Sequence, residues 1–177
     1  MTCGRYVLGR MSIERSIPPS GVDELATLAG FLDFQRATLA VKCQGLTDAQ
    51  LRNQAVPPST LSLLGLVRHL AEVEVNWFRP LLAGEPMGGI WAPGLDVDVA
   101  FNDVTAASAQ EAFSRWHAEC EYARQLVAAA PSLDVTGERG GKRYTLRWVL
   151  VHLIEEYSRH NGHADLLRER IDGSTGQ

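Results

Sequence analysis

Apolar residues recur at steps of three and four along four stretches of this chain, and each stretch reads as one amphipathic helix. From Val22 to about Gln44 the stripe is Leu25, Leu28, Leu32, Leu39 and Cys43, and Gly45 stops it. A second stripe runs from Thr60 or Ser62 to Leu82 through Leu63, Leu66, Leu70, Val73 and Trp77. The third carries Phe113, Trp116, Cys120, Ala123 and Val127 as far as Ala130-Pro131, with Asp103, Thr105 or Ser108 available as its cap. The last, from near Thr145 to about Ile171, aligns Leu146, Val149, Leu150, Leu153, Tyr157, Ala164, Leu167 and Ile171.

Between the stripes stand residues that end helices. Thr47-Asp48-Ala49-Gln50 has the form of a capping box and opens a short helical turn over Leu51. Val56-Pro57-Pro58-Ser59 breaks the chain, because proline lacks an amide donor and pushes its predecessor out of the helical region. From Gly84 to Val104, glycines, prolines and acids describe a long connection, with Trp91 placed to cover one end of the molecule. Gly137, Gly140 and Gly141 among charges suit a turn or a short hairpin before the last helix. The pattern predicts an all-α, antiparallel four-helix bundle with a long connection between helices two and three. It assigns one domain to residues 19–173, a poorly ordered or surface-draped segment to 1–18, and a flexible tail to 174–177.

Composition narrows the function. With 177 residues and 45% hydrophobic content, one core forms without staples. A net charge of −4 and a pI near 5.7 leave no basic footprint, which argues against nucleic acid and anionic membrane as partners. No run approaches the length of a spanning helix, and Tyr6-Val7-Leu8 is too short for a signal-peptide core. Cys3, Cys43 and Cys120 lack close spacing and read as reduced thiols in a cytosol, with Cys43 and Cys120 acting as small buried hydrophobes.

The chemistry concentrates on the last helix. Glu156 and His160 are one turn apart, close enough to share a cation, and His160 lies within the apolar seam. His69 on the second helix flanks its own seam and faces a neighbour. A set of His69, Glu156 and His160 suits zinc first, and also nickel, iron or cobalt. Three protein ligands leave a position open for water or a thiol. The plain alternative is a satisfied core histidine, with Glu156 paired to Arg159 or another surface cation. His163 is a further ligand or a proton shuttle beside the site, and His152 could ligate with Glu156 by the same helical arithmetic. Asn161 and Asp165 read as a solvated face, and His117 as surface or packing. No zincin helix, nucleophile elbow or phosphate-binding glycine loop is present.

Two segments carry a resemblance: Leu66-Val67-Arg68-His69-Leu70-Ala71-Glu72-Val73-Glu74 with Trp77-Phe78, and Glu156-Tyr157 with Arg159-His160-Asn161-Gly162-His163-Ala164-Asp165-Leu166-Leu167-Arg168-Glu169. Together they resemble the DinB/YfiT-like superfamily, with its mini-circle-type branch the nearest in pattern, over roughly residues 20 to 173. They are also similar to the N-terminal domain of mycothiol-dependent maleylpyruvate isomerase, which uses His/Glu/His. The resemblance implies a four-helix bundle, often a homodimer, with a divalent metal on His69, Glu156 and His160. Glu156 stands where many members have histidine. It further implies a cytoplasmic enzyme acting on a small molecule. The metal would activate a thiol cosubstrate such as mycothiol for transfer or isomerisation, or water for hydrolysis, with His163 shuttling protons. The rival expectation is a non-catalytic bundle that binds a small ligand or a protein partner and keeps a vestigial site.

Overall fold

The computed structural model of the chain describes residues 15–91 and 98–176. Helix α1 (Glu24–Cys43) begins where the Asp23 carboxylate accepts the Ala26 amide, and α2 (Asp48–Arg52) carries the reciprocal Thr47–Gln50 capping box anticipated from the sequence. Helix α3 (Leu63–Phe78) starts at Ser62, whose hydroxyl accepts the Gly65 amide, and runs into a π-helical turn over Arg79–Ala83. Ser108 caps α5 (Ala109–Ala129), and Thr145 caps α6 (Leu146–Asp172), which ends at Gly173 in the left-handed region. Each cap satisfies an amide that the first helical turn leaves without a partner.

One segment acquires order that its sequence does not announce, and a second takes the hairpin form that its glycines suggest. Inside the long connection a short helix, α4 (Asp98–Asn102), forms beside α3, and the buried Arg68 guanidinium donates to the Ala100 and Val99 carbonyls. Residues 133–145 contain an antiparallel hairpin of β1 (Thr136–Arg139) and β2 (Lys142–Thr145), turned at Gly140-Gly141, both at positive φ. The expectation for residues 1–18 falls mostly outside the described residues. Of its last part, Arg15 lies over the Phe34 ring, and Pro18 and Pro19 pack against Gly30.

The structure is mostly helical, with four long helices enclosing Leu39, Leu63, Leu66, Leu70, Trp116, Leu146, Leu150 and Leu153. Their directions differ from the uniformly antiparallel expectation. Glu24 meets Arg147, Gln35 meets Ser158 and Lys42 meets Asp165, so α1 and α6 run the same way. Along α3 and α6 the order reverses: His69 meets His160, Glu74 meets Tyr157 and Trp77 meets Trp148. A parallel neighbour in such a set of helices requires a crossover, and the long connection between α3 and α5 provides one.

At the centre sits a carboxylate. Glu74, fully buried on α3, accepts from Arg36 Nε at 2.8 Å and Nη2 at 2.6 Å, and from the Tyr157 hydroxyl at 2.7 Å. Trp116 Nε1 donates to the Tyr157 oxygen at 2.8 Å, and Cys120 Sγ lies 3.5 Å from the same carboxylate. All four long helices therefore meet in one polar cluster. Burial holds the Tyr157 hydroxyl well above its ordinary pKa, so it remains a donor.

Removing one member of a buried ion pair strands the other charge, at a cost of about 3–5 kcal/mol. Arg36→Met is expected to lose stability on that scale in urea unfolding, and Tyr157→Phe about 1–3 kcal/mol. Losses below about 0.5 kcal/mol in both would contradict the role given to the cluster.

Candidate metal centre

Helical periodicity alone puts Trp148, His152, Glu156 and His160 on one ridge of α6, each four residues and about 6 Å beyond the last. The facing helix α3 presents His69, Val73 and Trp77 with the same spacing. Because α3 and α6 are antiparallel, His69 comes opposite His160, and Trp77 comes opposite His152 and Trp148.

The result is a compact donor set. His69, Glu156 and His160 each offer one ligand atom, and these atoms lie within 4.8 Å of one another. The His160 Nε2–Glu156 Oε2 edge is 3.4 Å, close to the spacing of about 3.3 Å that tetrahedral bonds of 2.0–2.1 Å impose. The two imidazole rings meet edge to face with centroids 4.7 Å apart. Phe101 of α4 stacks on the outer side of His69 at 4.6 Å and fixes that ring.

Burial makes both imidazoles poor bases. His69 is pushed down to about 4 by desolvation, and His160 to about 3 by desolvation together with the neighbouring His69, His163 and Arg159. Both rings are neutral at physiological pH, the form that ligates metals. His69 Nδ1 is buried with no hydrogen-bond partner among the described residues, a cost that a cation would remove. Two imidazoles, one of them with an orphaned ring nitrogen, and a carboxylate fit a divalent ion.

The other residues singled out in the sequence divide clearly. His163 Nδ1 lies 3.4 Å from His160 Nδ1, on the side of that ring away from Glu156. His152 Nε2 is 3.8 Å from the other Glu156 oxygen, and the ring stacks on Trp148 and meets Trp77. Arg159 pairs with Glu155, not with Glu156 as the plain alternative supposed, because its guanidinium reaches the exposed i−4 carboxylate. Asn161 does not belong to a solvated face: it is buried against α1, its amide donating to the Gln35 carbonyl and side-chain oxygens. Asp165 is exposed and pairs with Lys42, and His117 is exposed beside Trp116. Cys43 and Cys120 are both buried, and burial pushes the Cys43 thiol up to about 12, which leaves it inert. A cavity of about 660 Å³ between α1 and α5 involves none of the three metal donors. The stacking of Phe101 on His69 was not legible, since α4 itself was not.

A helical protein with a partly buried His/Glu/His set on two antiparallel helices is the class that this fold and site define. The mycothiol-S-transferase family model matches residues 27–173, and the chain belongs to that family, which is DinB-like. No curated protein matches the sequence.

Losing a ligand should cost more affinity than losing a residue that only orients one, for which about 10–100-fold is usual. In a zinc competition titration of untagged protein, His69→Ala and His160→Ala are expected to weaken binding beyond 100-fold, and His163→Ala by about tenfold. Equal affinities for wild type and His160→Ala would remove His160 from the donor set.

Proposed function

We propose that this protein is a metal-dependent transferase that uses mycothiol as its thiol substrate, with zinc on His69, Glu156 and His160. The observation that carries the reading is the convergence of these three donors, together with a His69 ring nitrogen that is buried without a partner among the described residues. The family match favours a thiol over water as the activated group. A divalent ion held there lowers the pKa of a thiol bound to it, so that the sulfur reacts as thiolate near neutral pH.

The chain's own residues would supply the rest. His69 and His160, neutral through burial, offer lone pairs without a protonation penalty, and Phe101 keeps the His69 ring from turning. Glu156 brings one negative charge and offsets part of the charge of a dication. His163, half-buried and beside His160, takes the thiol proton toward solvent. The sulfur would then bond to the electrophilic carbon of a small unsaturated acceptor as the acceptor's carbon–carbon π bond breaks, and the neighbouring carbon that receives this electron pair takes up a proton from solvent by way of His163. With this reading go one four-helix-bundle domain over residues 19–173, a cytoplasmic location and a homodimeric state, the last checked by light scattering.

The test is transfer activity of zinc-loaded protein with mycothiol and a thiol-reactive fluorogenic acceptor. Conjugate formation is expected, abolished by a chelator and by His160→Ala, and slower with other small thiols. Conjugation at the uncatalysed rate, or a rate that chelation leaves unchanged, would overturn the proposal. A bundle without catalysis would show neither mycothiol binding nor metal-dependent turnover.

A further inference from the structure

Beyond the donor set, the α6 ridge continues into an aromatic wall. Trp148 stacks on His152 at 4.9 Å and packs on Tyr144 at 4.7 Å, and Trp77 meets all three rings, with centroids 4.5 Å from His152, 5.1 Å from Trp148 and 5.2 Å from Tyr144. Trp148 is half exposed, so the wall is open to solvent. His152 links it to the centre through its 3.8 Å approach to Glu156.

Arg139 closes the far side of this wall. Its guanidinium lies 4.0 Å over the Trp77 ring, and Nε donates to the Asn76 carbonyl at 2.8 Å. That carbonyl has no amide returning from the residue four places on, because the residue is Pro80. The hairpin is fixed here by Gly137, where a Cβ would run into the Leu81 backbone. One nitrogen of Arg139 thus has a structural task and sets the orientation of the whole group. Its two terminal nitrogens have no hydrogen-bond acceptor, and no carboxylate pairs with it, among the described residues. Burial lowers its pKa, as expected for a cation half withdrawn from water without a counter-charge. Most other arginines, among them Arg36, Arg79, Arg124, Arg147, Arg159 and Arg168, do have an acidic partner.

We propose that Arg139, with Trp77, Tyr144 and Trp148, forms the subsite for the acceptor substrate, and that this acceptor is a planar, unsaturated molecule bearing a carboxylate. A guanidinium in fixed orientation presents two parallel donors to a carboxylate. The half-exposed Trp148 ring, backed by Trp77 and Tyr144, takes the conjugated portion, and the ridge leads from there to Glu156, roughly two helical turns along α6 from Trp148. The acceptor's electrophilic carbon then lies toward the thiol, and its carboxylate lies away from it. Distance keeps the carboxylate from competing for the metal. The inference rests on the transferase reading for the word acceptor, but the binding it describes is measurable without turnover.

The experiment compares wild type with Arg139→Gln, whose amide retains a donor for the Asn76 carbonyl. Two acceptors with one reactive group are used, an unsaturated ketone whose aryl ring bears a carboxylic acid remote from the reacting carbon, and the methyl ester of that acid. The expected result is a KM for the acid raised about tenfold or more by the substitution, with kcat nearly unchanged and the ester unaffected. Equal losses on acid and ester would overturn the subsite, because a misfolded or merely weakened protein treats both alike. A second readout is quenching of tryptophan fluorescence by the saturated, unreactive analogue of the acid. Quenching that depends on Arg139 without any transfer would uphold the subsite and sink the transferase reading. Transfer without discrimination between acid and ester would do the reverse.

Discussion

A carboxylate cut off from water must be neutralised where it stands, and Glu74 is neutralised by groups from three other helices. Arg36 on α1 grips both oxygens, Tyr157 on α6 donates to one of them, and Trp116 on α5 holds the tyrosine. The pairing has a consequence beyond its own energy, which for buried ion pairs is modest against an apolar replacement. Hydrophobic packing tolerates sliding of one helix along another; a hydrogen bond of 2.7 Å between Tyr157 and Glu74 does not. It sets the axial register of α6 against α3. With Glu74 opposite Tyr157, five residues back along α3 and three forward along α6 bring His69 to His160.

The donor set is then a product of two elementary repeats. One is the four-residue step on a single helix, which aims Glu156 and His160 the same way. The other is the antiparallel register, which supplies His69. Burial by Phe101 and the surrounding apolar seam keeps the two rings neutral. The same α6 ridge that carries the candidate metal donors continues through His152 to Trp148, so these donors and the aromatic wall share one line of side chains. Pro80 enters this economy indirectly: by removing one amide it leaves the Asn76 carbonyl for Arg139 and so draws the hairpin against the wall.

Local signals were legible in the sequence, and three-dimensional ones were legible only where periodicity transmits them. The caps at Thr47, Ser62, Ser108 and Thr145 all follow from side chains that bond their own neighbours. His69, Glu156 and His160 were identifiable because each sits on or beside an apolar seam. The parallel run of α1 with α6 was not, since a helix stripe has no direction; the length of the connection from 84 to 108 was the only clue. Asn161 looked solvated because its acceptors, on Gln35, are far away in sequence. Glu74 and Arg139 gave no signal of their own. The meaning of each depends on a partner from another element, Arg36 for one and Trp77 for the other.

The central claim is that one cation bound by His69, Glu156 and His160 presents an open position to a thiol. Visible absorption of the cobalt-substituted, untagged protein during titration with mycothiol tests it most directly. The account predicts d–d bands of low-coordinate cobalt that saturate at one ion per chain, followed by a sulfur-to-cobalt charge-transfer band as the thiol binds. Cobalt that remains in the spectrum of the free aqueous ion, or bound cobalt whose spectrum mycothiol leaves unchanged, would contradict it.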